Sequence, residues 1–245
     1  MDLNEASPEI VIEASLTDQP GSVKVEISET VNYFGEFSKQ PVSGASVRLK
    51  DARGKSFQLR EAATTAGFYT NEMIIPEVGS TYVLTVEVNG KTYEAASILH
   101  PAVEIEHVSY FFEAGTSIFD TGYYMRMVYQ DPEGEENYYR VNIYKNGRLR
   151  TSGSDLILFS DRFVEGKQVE VTLHSVLFKK GSLATVELIS LDKKAFDFYR
   201  TFTDLNTNNP GSAAPANPTS NFSNGALGFF SAWTFDEESI VIEEK

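Results

Sequence analysis

The chain has 245 residues and a mass of 27.2 kDa, enough for one or two domains that bury a core without a covalent or metal staple. Its 21 Lys and Arg stand against 35 Asp and Glu, and the net charge of −14 disfavours nucleic-acid binding and docking on anionic lipid through a basic patch. With no Cys and three His, disulfides, thiolate metal centres and a cysteine nucleophile are excluded.

The first hundred residues read as short strands. Ile10, Ile12, Ala14 and Leu16 alternate with Glu13 and Ser15 after Pro8. Val23, Val25 and Ile27 alternate with Lys24, Glu26 and Ser28, and Val47 and Leu49 with Arg48 and Lys50. Phe57 and Leu59 follow the same rule, as do Tyr82, Leu84, Val86 and Val88. A period of two with one apolar face marks half-buried antiparallel strands. Asn89-Gly90 is a two-residue hairpin signal. About seven such strands predict an immunoglobulin- or transthyretin-like β-sandwich over residues 1–103. Pro101 marks the seam. Residues 1–103 carry 8 basic and 14 acidic side chains (−6), and residues 104–245 carry 13 and 21 (−8), so neither part is basic.

Residues 104–245 form the expected second, larger β-rich domain. Tyr123, Met125, Met127 and Tyr129 share one strand face, and Tyr139, Val141 and Ile143 share the next. Short apolar runs follow at 156–159, 169–173 and 183–189. Leu191, Ala195, Phe198 or Tyr199, Phe202 and Leu205 recur at helical spacing, which predicts one helix near 191–205, with Ser190 or Asp192 as its N-cap. Residues 206–221 hold three Pro and several Asn and read as a loop. Ala226–Phe235 reads as the last strand, and Glu237–Lys245 as an acidic tail with a short Ile240-Val241-Ile242 run.

Candidate sites are few. Asp131, Glu133, Glu135 and Glu136 lie on one loop with calcium-type oxygen ligands. The order Asp-Pro-x-Gly is also good turn chemistry, and the turn is the favoured reading. No metal or cofactor is assigned, and calcium on that loop is the alternative. If strands 122–130 and 137–145 form a hairpin with Tyr129 facing Tyr139, the other face gathers Tyr124, Arg126, Arg140 and Tyr144. Tyr and Arg are favoured at protein interfaces, so that face is a candidate binding platform. Burial of the same aromatics in a core is the competing reading. The aromatic helix near 191–205 reads as packed against a sheet, with docking of a partner as the alternative. In the loop, Asn208, Asn209, Asn217 and Asn221 offer polar groups to a ligand or to the loop's own backbone. His100, His107 and His174 are widely separated and suggest no metal centre. Ser154-Asp155 and Ser160-Asp161 read as turns or caps, since no Gly-x-Ser-x-Gly elbow occurs. A pair of carboxylates for glycoside hydrolysis is a matter of spacing in the fold.

Several blocks in order resemble the Bacteroidetes outer-membrane proteins grouped as domain of unknown function 4249. They are Pro8–Ala14, Pro41–Val47, Gly67-Phe68-Tyr69, Gly79–Val86, Asp131–Gly134 with Asn137-Tyr138-Tyr139, and the pair Pro218–Asn221 and Asn224–Ala232. The resemblance spans nearly the whole chain. It implies a lipoprotein whose leader and lipidated Cys precede the first strand. The polar start Met1–Glu5 carries neither, so the expectation is that both have been removed. It further implies a place at the outer membrane and cell surface, and a non-enzymatic accessory role beside a TonB-dependent receptor in uptake of a nutrient or metal chelate. No catalytic residue carries over. The expected partner is that receptor, with a glycan or peptide ligand as a further partner. Nucleic acid is not expected, nor any membrane contact beyond the lipid anchor. The alternatives are a stand-alone glycan- or peptide-binding surface module, a carbohydrate-active enzyme and a structural or adhesion protein.

Overall fold

Alternating apolar and polar residues become alternating buried and exposed positions in the computed structural model, which describes residues 8–30, 39–115, 120–151, 155–206 and 217–243. Strand β1 (Ile10–Thr17) buries Ile10, Ile12, Ala14 and Leu16. The chain divides into two units, Met1–His100 with Ala214–Trp233, and Pro101–Ala213 with Thr234–Lys245. The division falls between His100 and Pro101, beside the expected seam at 103. A single cut does not describe it, however, because residues 214–233 return to the first unit.

In the first unit, β1 pairs with β2 (Lys24–Glu29), and β2 pairs with β3 (Gln40–Pro41) and β6 (Thr65–Thr70). β6 pairs in turn with β5 (Ser56–Ala62), through which the ladder continues into a second layer of β5, β4 (Ser46–Lys50), β7 (Thr81–Val88) and β8 (Lys91–Ile98). The β7–β8 hairpin turns on Asn89 and Gly90, both at positive φ, as the sequence predicts. Ile12, Leu16, Val25 and Ile27 from β1 and β2 and Val47, Leu49, Leu84 and Val86 from β4 and β7 belong to one core. This is the mainly β, sandwich-like fold class expected from the sequence.

The start of β16 (Leu227–Val241) completes that unit. It runs parallel to β1, from Val11 opposite Leu227 to Thr17 opposite Trp233. Asn221 fixes its entry: the side-chain amide donates to the Phe230 carbonyl at 2.7 Å, and the Phe230 amide returns to Asn221 Oδ1 at 2.9 Å. Ser223 and Asn224 bond the exposed backbone of β8 at Glu94 N–H and Thr92 C=O. Gly228 has φ +90°, and a Cβ there would stand 2.1 Å from the Ile12 carbonyl oxygen.

A second tie closes the β3–β4 loop. Tyr69 donates its hydroxyl to the Val42 carbonyl and accepts the Ala45 amide. The Glu61 carboxylate accepts the amides of Gly44 and Gly67. A bond from the Ser43 side chain and these two amides hold the Glu61 pKa down at about 2, from an ordinary 4.5.

The second unit holds two sheets. One holds β14 (Gln168–Phe178), β10 (Gly122–Gln130) and β9 (Ile105–Glu113). The other holds β11 (Tyr138–Lys145), β15 (Leu183–Leu191) and the end of β16, with β12 (Arg148–Leu149) and β13 (Ile157–Ser160) along the far edge of β11. Met125, Met127 and Tyr129 meet Tyr139, Val141 and Ile143 in the core. Helix α1 (Lys193–Asn206) starts two residues later than its first apolar position. Asp192 is the cap, and its Oδ1 accepts the Ala195 amide at 2.8 Å. The expected acidic tail is instead strand as far as Val241, where Ile240 and Ile242 join the core and Glu237 and Glu238 point to solvent.

Two outcomes test these ties. Gly228→Ala combines a strained φ with a backbone clash and costs about 2–4 kcal/mol in urea unfolding, whereas Gly225→Ala, at φ +79° in open space, costs about 1 kcal/mol. Because the folded pKa of Glu61 lies below its unfolded value, its stabilisation is complete above about pH 4.5 and is lost as pH falls toward about 2. Acid titrations of Glu61→Gln followed by circular dichroism should lack that part of the pH dependence.

Candidate functional site

Strands β10 and β11 do not form the expected hairpin. β10 pairs with β9 and β14, and β11 pairs with β12, β13 and β15. The segment Asp131–Asn137 is an arch that carries the chain from one sheet to the other. Tyr129 still faces Tyr139, with ring centroids 5.3 Å apart, but across the core rather than along a ladder. The outer faces of the two strands therefore point in opposite directions, and the four-residue platform does not exist.

Each of its members is used locally. Tyr124 is 3% exposed and donates its hydroxyl to the Asp120 carbonyl at 3.0 Å. Its ring lies beside Phe111 and His174. Arg126 lies over the Phe111 ring and pairs with Glu170 at 3.2 Å. On the other sheet, Arg140 stacks on Tyr199 of α1 at 4.6 Å. Tyr144 donates to Glu187 at 3.2 Å, and burial and that carboxylate raise its pKa.

The acidic loop is divided in the same way. Asp131 is buried, and its carboxylate accepts the Tyr139 hydroxyl at 2.7 Å and the Gly166 amide at 3.1 Å. Asp161, also buried, accepts the Asn137 amide at 2.8 Å. These two carboxylates pin the 131–137 arch to the 161–167 turn, which the sequence left as simple turn chemistry. Glu136 accepts the Tyr138 hydroxyl at 2.7 Å, and burial and that bond push the Tyr138 pKa up to about 12. Burial and the neighbouring Asp131 raise Tyr129 and Tyr139 further. Glu133 and Glu135 are exposed. Among the described residues no group of three or more His, Cys, Asp or Glu is placed to hold a metal ion.

The remaining candidates resolve into packing. In α1, Phe196 lies on Tyr138 at 5.0 Å and Phe198 stacks on Phe202, while Lys193, Asp197 and Arg200 pair along the outer face. Asn221 serves the backbone of β16, Asn217 is exposed, and Asn208 and Asn209 lie outside the described residues, as does Ser154. His100 belongs to the first unit, and His107 and His174 to the second.

One surface feature was not anticipated. The β6–β7 connection reads Asn71-Glu72-Met73-Ile74-Ile75-Pro76-Glu77-Val78-Gly79-Ser80. Ile74 and Pro76 are buried, while Met73 is 84%, Ile75 76% and Val78 47% exposed. The loop is held from several sides. The Gly21 amide donates to the Ile74 carbonyl at 2.8 Å, Met73 N–H to Asn71 Oδ1 at 2.9 Å, and Glu77 N–H to the Tyr82 hydroxyl at 2.6 Å. Arg53 pairs with Glu77. Exposed apolar side chains gathered into one patch are a mark of an interaction site. The sequence signal was an apolar run bracketed by Asn-Glu and Glu-Val-Gly, which periodicity alone reads as core.

This pairing of two β units with an apolar loop is the setting for the comparisons with known proteins. The family model described as "Domain of unknown function (DUF4249)" matches residues 1–239, and the chain belongs to that family. No curated protein matches the chain. Among solved structures, a two-fibronectin-type-III segment of chicken tenascin is similar at 12% identity, covering 97% of this chain and 99% of that one, with a TM-score of 0.24. The chicken interferon gamma receptor alpha chain is similar at 12% identity, covering 98% and 100%, with a TM-score of 0.26. Scores this low say nothing further about the chain.

The structural role of Asp131 has a direct check. Tyr139→Phe removes one bond from a buried carboxylate and costs about 1.5–3 kcal/mol in urea unfolding.

Proposed function

We propose that this chain is a non-enzymatic binding protein of the cell envelope, lipid-anchored at the outer membrane, and an accessory of a TonB-dependent receptor in uptake of a nutrient or metal chelate. Membership of the family over residues 1–239 supports the envelope setting, through what the resemblance of its motifs implies. The observation that carries the docking role is the loop presenting Met73, Ile75 and Val78. Its backbone is fixed before any partner arrives, so little ordering entropy opposes binding. Glu72 and Glu77 border the apolar tip. A protein recess with apolar walls and a basic rim is complementary to it. A net charge of −14 opposes insertion of the same tip into an anionic lipid surface.

Co-purification tests this reading. The lipidated protein, tagged at its C-terminus, would be recovered from its host's outer membranes in mild detergent and compared with the double variant Met73→Glu, Ile75→Glu. The expected result is near-stoichiometric recovery of a TonB-dependent receptor with the unaltered protein and about tenfold less with the variant, the loss of a central apolar anchor. Recovery of the protein alone, or equal recovery of the receptor with both forms, contradicts it.

A further inference from the structure

The outer face of β1, β2 and β16 holds a groove of about 290 Å³ that includes none of the apolar loop. β1 contributes Glu13 and Ser15, β2 contributes Lys24 and Glu26, β16 contributes Phe229, and Lys39 stands at the rim. The register places Glu13 directly opposite Glu26 on one side and opposite Phe229 on the other, and Ser15 opposite Lys24. Two carboxylates facing each other across a ladder are destabilising. Lys39 pairs with Glu13 and relieves part of that repulsion. The side chains of Glu26 and Lys24 are exposed, and among the described residues neither forms a side-chain hydrogen bond or ion pair. Folding alone does not call for this arrangement.

We propose that this groove binds a neutral saccharide. Its formal charge is zero, two carboxylates against two ammonium groups, so it has no field to select an anion or a cation. What it offers is a set of strong acceptors and donors at strand spacing, a hydroxyl and the side of an aromatic ring. A sugar ring is complementary to that set. Each sugar hydroxyl donates to a carboxylate and accepts from an ammonium group, in charge-assisted bonds to a neutral ligand. The C–H face of the ring packs against Phe229. The volume sits at the small end of the roughly 300–1,000 Å³ range of ligand sites, which suits one or two units of a longer chain continuing into solvent. This site stands independently of receptor docking, because the chain in solution would bind the sugar without any receptor.

The test uses the whole chain in solution. Isothermal titration calorimetry and saturation-transfer NMR would be run with maltohexaose, cellohexaose, xylohexaose and mannohexaose, and with an oligogalacturonate as the charged control. At least one neutral oligomer should bind with Kd below about 1 mM, the weak end of specific recognition. Binding should fall at least tenfold in Glu26→Gln and in Lys24→Met. Both side chains are exposed and unpaired among the described residues, so both variants should melt like the parent protein. The proposal fails if none of the neutral oligomers binds, if binding is unchanged in both variants, or if the oligogalacturonate binds more tightly.

Discussion

The parallel contact between β1 and β16 is the constraint on which the first unit depends. Without it β1 would be an edge strand, with an unpaired row of backbone groups beside a row of apolar side chains. The segment that supplies the partner strand also bonds the outer backbone of β8 through Ser223 and Asn224. It thereby closes an edge of each layer. Phe222, Ala226, Phe230 and Ala232 complete the core from the same stretch. The close approach leaves no room for a Cβ at position 228, which is why glycine stands there. The most distinctive block of the family resemblance, 218–232, is thus accounted for by closure of the sandwich. The Gly67-Phe68-Tyr69 and Pro41–Val47 blocks have a similar basis. A Cβ on Gly67 would lie 2.6 Å from the Ile27 carbonyl oxygen, and Tyr69 ties Val42 to Ala45.

In the second unit, the residues that look chemical in the sequence are consumed by the fold. Asp131 and Asp161 hold an arch to a turn, Tyr139 and Tyr138 donate to carboxylates, and Arg126 and Arg140 lie on aromatic rings. A buried carboxylate is costly unless its oxygens accept hydrogen bonds, and here they do. The apolar tip at Met73 and Ile75 and the charge-balanced groove at Glu13 and Glu26 lie outside this internal accounting. Both belong to the first unit, on the surface of its β-sandwich. That is the usual division of labour between a rigid sandwich and the surface it presents.

Strand faces were legible in the sequence because alternation depends only on each strand and the side it buries. Asn89-Gly90 and Asp192 were legible because turn and cap chemistry are local. Strand partners were not. Tyr129 and Tyr139 face each other whether their strands share a ladder or oppose each other across a core, so one pattern fits a hairpin and an arch. The return of 214–233 to the first unit joins residues more than 200 positions apart in sequence, and no local signal marks it. The groove was hidden for a different reason. Glu13, Ser15, Lys24 and Glu26 read as ordinary solvent-facing positions, and only the register shows like charges set opposite each other.

Native-state hydrogen exchange on the whole chain tests the central claim, that the first unit is complete only with its C-terminal strand. The amides of Ile12–Leu16 in β1 and of Phe229–Ala232 in β16 should exchange together, in the slowest class of that unit, because they are lost in one cooperative opening. Exchange of the β16 amides through a separate opening, orders of magnitude faster than those of β1, would show that the unit stands without the returning strand and would contradict the account.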